Sequence, residues 1–191
     1  RTLFFSVLVF SFITAVGLNQ LKVYPEAIAL FRKGFFHLIS GHSGTGYMTI
    51  YARQFINEWG NLAMTGLICA MAIGGCACST AGGIKILRIG IFIKALRQDI
   101  RRIILPERAV VAQMFHHIKD IFLEDRQVRS ALLITLLYLG LYILGAIIGT
   151  WFGYPFLDSL FESTSAAANV GLSCGITDVG MPAVLKLTYI F

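Results

Sequence analysis

Two short glycine-containing segments offer the clearest ligand chemistry in this sequence. SGTGY, residues 43–47, and ANVGL, residues 168–172, lie 125 residues apart, and each has a glycine at its fourth position. Glycine adopts backbone conformations that other residues avoid, so successive carbonyl oxygens can turn away from their own chain. Backbone carbonyl oxygens can replace the water shell of a monovalent cation. The two segments therefore predict a cation site made of main chain.

The other reactive side chains favour neither catalysis nor metal binding. Cys76 and Cys78 lie among small residues with no histidine at ligand spacing, so packing is favoured over a metal site. His116–His117 falls in a charged segment and is interpreted as a solvated pair. No Ser/His/Asp set or carboxylate pair stands at catalytic spacing, and the glycine-rich stretch lacks the ending of a phosphate-binding loop. We expect no enzyme and no bound cofactor.

The composition places the elements that hold these segments in a membrane. Hydrophobic residues make up 57% of the chain and charged residues only 14%. Residues 3–21 and 131–152 carry no charge, and at ~1.5 Å per residue each run is long enough for a hydrocarbon layer of ~30 Å. A signal peptide is the alternative for the first run, but no small-residue cleavage site closes it. Both runs predict spanning helices.

The net charge of +6 is concentrated in one segment. Ten of the sixteen Lys and Arg residues lie between Lys85 and Arg129, which predicts that residues 85–129 are cytoplasmic and argues against a nucleic-acid partner. Basic residues from Lys85 to Arg102 recur at helical spacing with apolar residues between them. This pattern predicts an amphipathic helix whose basic face is either simply solvated or docks onto membrane lipid or a partner protein.

An internal repeat organises the chain. Four residues that support it recur at the 125-residue offset: Phe31 as Phe156, Phe36 as Phe161, Ser40 as Ser165 and Gly46 as Gly171. We expect each unit to contain a spanning helix, a short descending helix (25–39; 155–165), a glycine-containing segment and a second spanning helix. Backbone that re-enters at membrane depth survives only where it lines a polar cavity, although a surface loop is the alternative. The predicted units are 1–103 and 127–191, joined by a cytoplasmic linker, 104–126.

A run of ten small residues interrupts the second helix of the first unit. GGCACSTAGG, residues 74–83, contains four glycines, and each disfavours helix by about 1 kcal/mol. Tight helix packing through small residues is the alternative, but packing needs them on one face and here every face is small. The run predicts a break in the helix.

These motifs resemble the Trk/Ktr/HKT superfamily of potassium transport proteins, in the family's order and at comparable spacing. SGTGY and ANVGL each look like one quarter of the family's selectivity filter, and GGCACSTAGGIK looks like its glycine-rich intramembrane gate. The resemblance covers nearly the whole chain and corresponds to repeats three and four of four, with the last helix stopping partway at Phe191. It implies an all-α membrane protein of helix, pore-loop, helix repeats with one broken helix.

The resemblance also implies the site residues. The filter would comprise Ser43, Gly44, Thr45, Gly46, Tyr47, Ala168, Asn169, Val170, Gly171 and Leu172. Within it, K⁺ would be held at Gly44, Thr45, Gly46, Asn169, Val170 and Gly171. The gate would comprise Gly74, Gly75, Cys76, Ala77, Cys78, Ser79, Thr80, Ala81, Gly82 and Gly83. Lys186 would be a pore cation, with a snorkelling interfacial lysine as the alternative.

Function and partners follow from the same resemblance as expectations. The chain would conduct K⁺ across the cytoplasmic membrane as a homodimer on a cytosolic, nucleotide-binding regulatory subunit (TrkA/KtrA-like). A sodium-permeable member of the superfamily remains open, as does a secondary transporter with discontinuous helices, although the two units run in the same sense. A membrane-embedded enzyme would require intramembrane acid or histidine clusters. Asp158 and Glu162 would either attract cations at the mouth or face solvent.

Overall fold

Long apolar helices dominate the fold. The computed structural model describes residues 2–76, 79–104, 114–117, 119–122 and 125–190. By length and composition, two of its helices could cross a membrane: α1 (Thr2–Gln20) and α7 (Asp125–Trp151). They coincide with the two uncharged runs of the sequence.

The first unit continues from α1 into a descending helix. This helix comprises α2 (Ala27–Leu30), a π-helical stretch (Phe31–Phe35) and α3 (Phe36–Ser43). It extends one turn beyond the predicted end at residue 39, because the left-handed residue that can end it, Gly44 at φ +72°, comes only after Ser43. The chain then forms α4 (Ala52–Gln54), a second π-helical stretch (Phe55–Trp59) and α5 (Gly60–Ala72).

The second helix of this unit resumes after a non-helical stretch. Thirteen residues separate the end of α5 from the start of α6 (Ile86–Ile104), and those of them that the structure describes are not helical. The second unit consists of α7, α8 (Phe156–Ala167) and α9 (Ala183–Ile190).

A short β-ribbon corrects the all-α expectation within the linker. Strands β1 (Met114–His117) and β2 (Lys119–Phe122) pair antiparallel, with Phe115 opposite Ile121. The charged residues of this segment predicted a connecting linker. Its aromatic and β-branched residues have strand propensity, which prevails once the segment leaves the apolar helices. Elsewhere the described elements are helical.

Small residues let the helices pack closely around a shared core. A Cβ on Gly17 of α1 would lie 2.6 Å from the backbone nitrogen of Ala63 in α5, so these two helices touch through main chain. The aromatic rings of Phe55 and Trp59 lie 4.7 Å apart, and that of Phe161 lies 5.5 Å from Phe55. Because Phe161 belongs to α8, the first and second units meet in one apolar core.

Candidate ion-binding site

The two glycine-containing segments leave their helices in the same way. Helix α3 ends at Gly44, φ +72°, and α8 is followed by Asn169, φ +53°, so a left-handed residue turns the chain at equivalent positions. Asparagine is one of the few non-glycine residues that tolerate this conformation. Two residues later, Gly46 and Gly171 have φ of +74° and +89°.

Matching hydrogen bonds hold both segments against their helices. The Ser40 hydroxyl donates to the Tyr47 carbonyl oxygen at 2.8 Å, and the Ser165 hydroxyl donates to the Leu172 carbonyl oxygen at 2.5 Å. The amides of Thr45 and Val170 each donate to the carbonyl oxygen of the corresponding serine, in both cases at 2.9 Å. The two segments therefore have one backbone geometry.

Three successive carbonyl oxygens in each segment have no hydrogen-bond donor within the described part of the chain. Among the described residues, no donor reaches the carbonyl oxygens of Gly44, Thr45, Gly46, Asn169, Val170 or Gly171. Backbone carbonyls at membrane depth need a partner, which can be water or a cation. A Cβ placed on Gly46 would overlap the Val170 carbonyl oxygen, so the two segments approach each other at this point.

The predicted filter residues fall into two groups, according to whether their carbonyl oxygens accept a hydrogen bond from the described part of the protein. Those predicted to hold K⁺ are the six with unpartnered carbonyl oxygens. In contrast, the Tyr47 and Leu172 carbonyls are engaged by serine hydroxyls, and the Ala168 carbonyl accepts from Gly82 at 3.0 Å. Ser43 is the last residue of α3, and its hydroxyl lies 2.6 Å from that of Thr45.

The small-residue segment, residues 74–83, lies against the C-terminal ends of helices α3 and α8. The Gly75 amide donates to the His42 carbonyl oxygen at 2.8 Å, and the Gly82 amide donates to Ala168. These carbonyls belong to helix ends, whose acceptors lack intrahelical partners. A Cβ on Gly74 or Gly82 would lie 2.8 or 2.6 Å from those same carbonyl oxygens. Glycine is thus required for this contact.

Other parts of the small-residue segment turn back toward α5 and α6. The Ile84 amide donates to the Ala72 carbonyl oxygen at 3.0 Å, and the Lys85 ammonium donates to the Ser79 carbonyl oxygen at 2.9 Å. Ala81 is buried, whereas Cys76 and Thr80 are exposed. Two residues of the predicted gate, Ala77 and Cys78, lie outside the described residues.

The structure buries Asp158 and Glu162, in disagreement with both interpretations that the sequence favoured. They are 6% and 3% exposed. The Glu162 Oε1 atom accepts from the Ser173 hydroxyl at 2.6 Å and from the Cys174 amide at 3.0 Å. Glu162 therefore lies behind the second segment and faces neither an open mouth nor bulk solvent.

His37 occupies the equivalent place behind the first segment and was missed. Its Nε2 atom accepts from the Thr49 amide at 3.1 Å, while its Nδ1 atom is 2.6 Å from the Lys33 carbonyl oxygen. The available signal was the 125-residue offset, which aligns His37 with Glu162. Comparing only identical residues concealed it, because the two side chains share a hydrogen-bonding capacity but not a residue type.

Lys186 lies on α9, and its ammonium donates to the Val179 carbonyl oxygen at 2.8 Å. This contact anchors the lysine to the loop that precedes its own helix. Its predicted role as a pore cation stays a prediction. The side chains of His116 and His117, interpreted as solvated, lie outside the described residues.

Comparisons with known proteins relate the whole chain to transport proteins. The family model described as TrkH, cation transport protein, matches residues 2–191. An uncharacterized cation transporter of Methanocaldococcus jannaschii is 34% identical over 152 residues, which cover 80% of this chain and 31% of that protein. The Trk system potassium uptake protein TrkH of Escherichia coli K12 is 32% identical over 85 residues, 44% of this chain and 17% of that protein.

The Trk system potassium uptake protein TrkI of Halomonas elongata is also similar, at 28% identity over 143 residues. The match covers 74% of this chain and 27% of that protein. In each of these three cases the match spans less than a third of the relative's length.

Proposed function

The chain belongs to the TrkH family of cation transport proteins, and from that premise we propose that it forms part of a pathway through which K⁺ crosses the cytoplasmic membrane. The family consists of transporters, so the chain is not an enzyme. In this proposal residues 43–47 and 168–172 supply two sides of a selectivity filter of backbone carbonyls.

One observation carries the proposal. In both segments the main chain is fixed on one side by serine hydroxyls, and the carbonyl oxygens of three successive residues, 44–46 and 169–171, have no protein partner within the described part of the chain. A cation supplies the missing partner without requiring the segments to rearrange. The same carbonyls would be costly to leave unpaired in an apolar layer, because each unpaired polar group loses its hydration.

The electrostatics of the helix ends also favour a positively charged ligand. Helices α3 and α8 end immediately before the two segments, and helix C-termini carry a partial negative charge of roughly half an elementary charge. Two such ends beside the unpartnered carbonyls favour a cation over an anion. The choice of K⁺ rests on the potassium uptake named for relatives such as TrkH of Escherichia coli, and Na⁺ permeation is the alternative outcome.

The small-residue segment is proposed to gate this pathway. Its amides contact the last carbonyls of both pore-helix ends, through Gly75 and Gly82, so that it lies on the α6 side of the filter segments. Glycines rather than larger residues permit this approach. Among the described residues of the segment, Gly75 and Gly82 make the two hydrogen bonds to the helix ends that such a movement would break, and so small a number suits an element that must vacate a pathway.

The proposed assembly is a homodimer in the cytoplasmic membrane, associated with a cytosolic nucleotide-binding subunit of the TrkA/KtrA kind. Helix α6 supports the dock, because Arg97 and Arg101 are exposed along a helix that leaves the apolar region. The outward residues of α1 and α7 would contact lipid; they include Phe4, Phe5, Phe12, Leu133 and Leu137, all strongly exposed.

Uptake of ⁸⁶Rb⁺ tests the proposal. The full-length gene product is expressed in cells that lack their own potassium uptake, and ⁸⁶Rb⁺ entry is measured with and without excess Na⁺. We expect ⁸⁶Rb⁺ to enter, and excess Na⁺ to reduce the rate of that entry only slightly. Entry of ²²Na⁺ at a rate equal to that of ⁸⁶Rb⁺ would favour the sodium-permeable alternative, and absence of both would remove the proposed function.

A further inference from the structure

We propose that Glu162 and His37 are positioning residues for ion discrimination, each holding the backbone immediately beyond one filter segment with a side-chain acceptor. The inference rests on the proposed function for its effect on ions, but its structural part concerns hydrogen bonds that are measurable without transport. Neither residue contacts the ion in this arrangement. Each acts through the main chain that does.

One oxygen of Glu162 accepts hydrogen bonds from two backbone amides and a hydroxyl, and the Cys174 thiol also lies 3.6 Å from it. Its Oε1 atom accepts from the Ser173 hydroxyl at 2.6 Å, the Cys174 amide at 3.0 Å and the Gly175 amide at 3.2 Å. Glu162 is 3% exposed and Cys174 is buried, so the Cys174 amide would have no water to replace the carboxyl oxygen, whereas Ser173 and Gly175 are half-buried. A buried amide that loses its acceptor carries the full penalty of desolvation, and the backbone from 173 to 175 would then move to find another.

His37 makes the corresponding contact with different chemistry. Because the Lys33 carbonyl can only accept and the Thr49 amide can only donate, Nδ1 must carry the proton and Nε2 must be the acceptor. The ring is fully buried, with the rings of Phe55 and Trp59 each 5.4 Å away in edge-on geometry. Packing thus fixes the ring orientation that the hydrogen bond requires.

The two positioning residues, His37 and Glu162, are called braces below, and they lie at equivalent positions of the repeat. His37 and Glu162 are separated by 125 residues, as are their amide donors Thr49 and Cys174. In each unit a serine holds the carbonyl at the end of the filter segment, and the brace holds the amide two residues later. The two anchors fix the main chain just beyond residues 44–46 and 169–171, whose carbonyl oxygens the proposal assigns to the ion.

The braces differ in how firmly they hold. Glu162 takes two backbone amides and a hydroxyl, whereas Nε2 of His37 takes one backbone amide, with the Thr49 hydroxyl at 3.5 Å. The second segment is therefore the more rigid of the two, and loss of Glu162 should cost more discrimination than loss of His37.

Hydrogen exchange tests the braces directly. Amide exchange is followed by mass spectrometry in the detergent-purified full-length gene product, for peptides covering 45–51 and 170–176. Glu162→Ala should accelerate exchange about tenfold in 170–176 and leave 45–51 within about twofold, and His37→Ala should do the reverse. Glu162→Gln keeps an acceptor oxygen and should restore most of the protection. Glu26→Ala, which removes an exposed carboxylate ahead of α2, is the matched control.

The functional arm measures the ratio of ⁸⁶Rb⁺ to ²²Na⁺ flux in liposomes for the same variants. We expect the ratio to fall about tenfold in Glu162→Ala, less in His37→Ala, and to recover in Glu162→Gln. Unchanged exchange at 170–176, or acceleration in both peptides alike, would overturn the brace. Local acceleration with an unchanged flux ratio would overturn its role in discrimination. Local acceleration in a protein that carries neither ion would leave the brace intact and remove the proposed function.

Discussion

Replacing Gly46 by alanine perturbs the proposed filter with a single methyl group. Gly46 has φ +74°, and a Cβ there would overlap the Val170 carbonyl oxygen. Gly171 has φ +89° but no heavy atom within 4 Å of its Cβ position. Gly140, within helix α7, has neither a positive φ nor a neighbour within that distance. Alanine at Gly46 therefore tests backbone strain together with steric overlap, alanine at Gly171 tests backbone strain alone, and alanine at Gly140 tests only the added methyl group.

The magnitudes follow from these surroundings. Left-handed backbone costs a residue with a Cβ about 1–2 kcal/mol, which applies to Gly46 and Gly171 alike. Overpacking adds about 1–3 kcal/mol at Gly46 alone, because the obstacle is a main-chain oxygen and not a movable side chain. At roughly 1.4 kcal/mol per tenfold, Gly171→Ala should lower flux about 5- to 30-fold and Gly46→Ala about 30- to 4,000-fold.

The assay is ⁸⁶Rb⁺ flux in liposomes with equal amounts of monodisperse protein. Gly140→Ala should match the unmodified protein, since alanine is favoured over glycine inside a helix. If Gly46→Ala conducted as well as Gly140→Ala, the Gly46 backbone would not lie in the pathway. If Gly171→Ala were the more damaging, the overlap with Val170 would not limit conduction.

Three further outcomes follow from other contacts. Gly82→Ala should push the small-residue segment off the Ala168 carbonyl, and flux through the liposomes should rise, whereas unchanged or lower flux would argue against a gate. Gly17→Ala should force α1 away from the backbone of α5, lowering the melting temperature in detergent by roughly 5 °C, and no change relative to the helical-glycine control above would refute that packing. Reversing the charges of Arg97 and Arg101 to Glu should abolish co-purification of a soluble nucleotide-binding protein, and its retention would place the dock elsewhere.

The long helices could be predicted because their signal is local. Uncharged runs at 3–21 and 131–152 lie almost entirely within α1 and α7, since a spanning helix requires one unbroken apolar stretch. The end of α3 was harder to predict from the sequence, because it depends on where Gly44 turns the chain. The β-ribbon was missed, since pairing of 114–117 with 119–122 competes with a charge pattern typical of a solvated linker.

Site residues that are identical in the two repeats could be predicted from the sequence. Site residues that differ in type and share only a hydrogen-bonding role could not. Gly46 and Gly171 are identical, so an offset comparison finds them. His37 and Glu162 share only an acceptor atom, and a comparison of residue types cannot reveal that both reach an amide twelve residues later. The hydrogen bonds of Gly75 and Gly82 to two separate helix ends depend on tertiary structure, which no sequence spacing encodes.

Locating bound Rb⁺ or Tl⁺ tests the central claim most directly. A crystal or cryo-EM structure of the full-length protein in Rb⁺ or Tl⁺ should show ion density beside the carbonyl oxygens of 44–46 and 169–171, on the side opposite Ser40 and Ser165. Those carbonyls should be the nearest ligands contributed by this chain. Density confined to other parts of a protein that conducts the ion, with these carbonyls hydrogen-bonded to protein instead, would contradict a main-chain filter at the two segments.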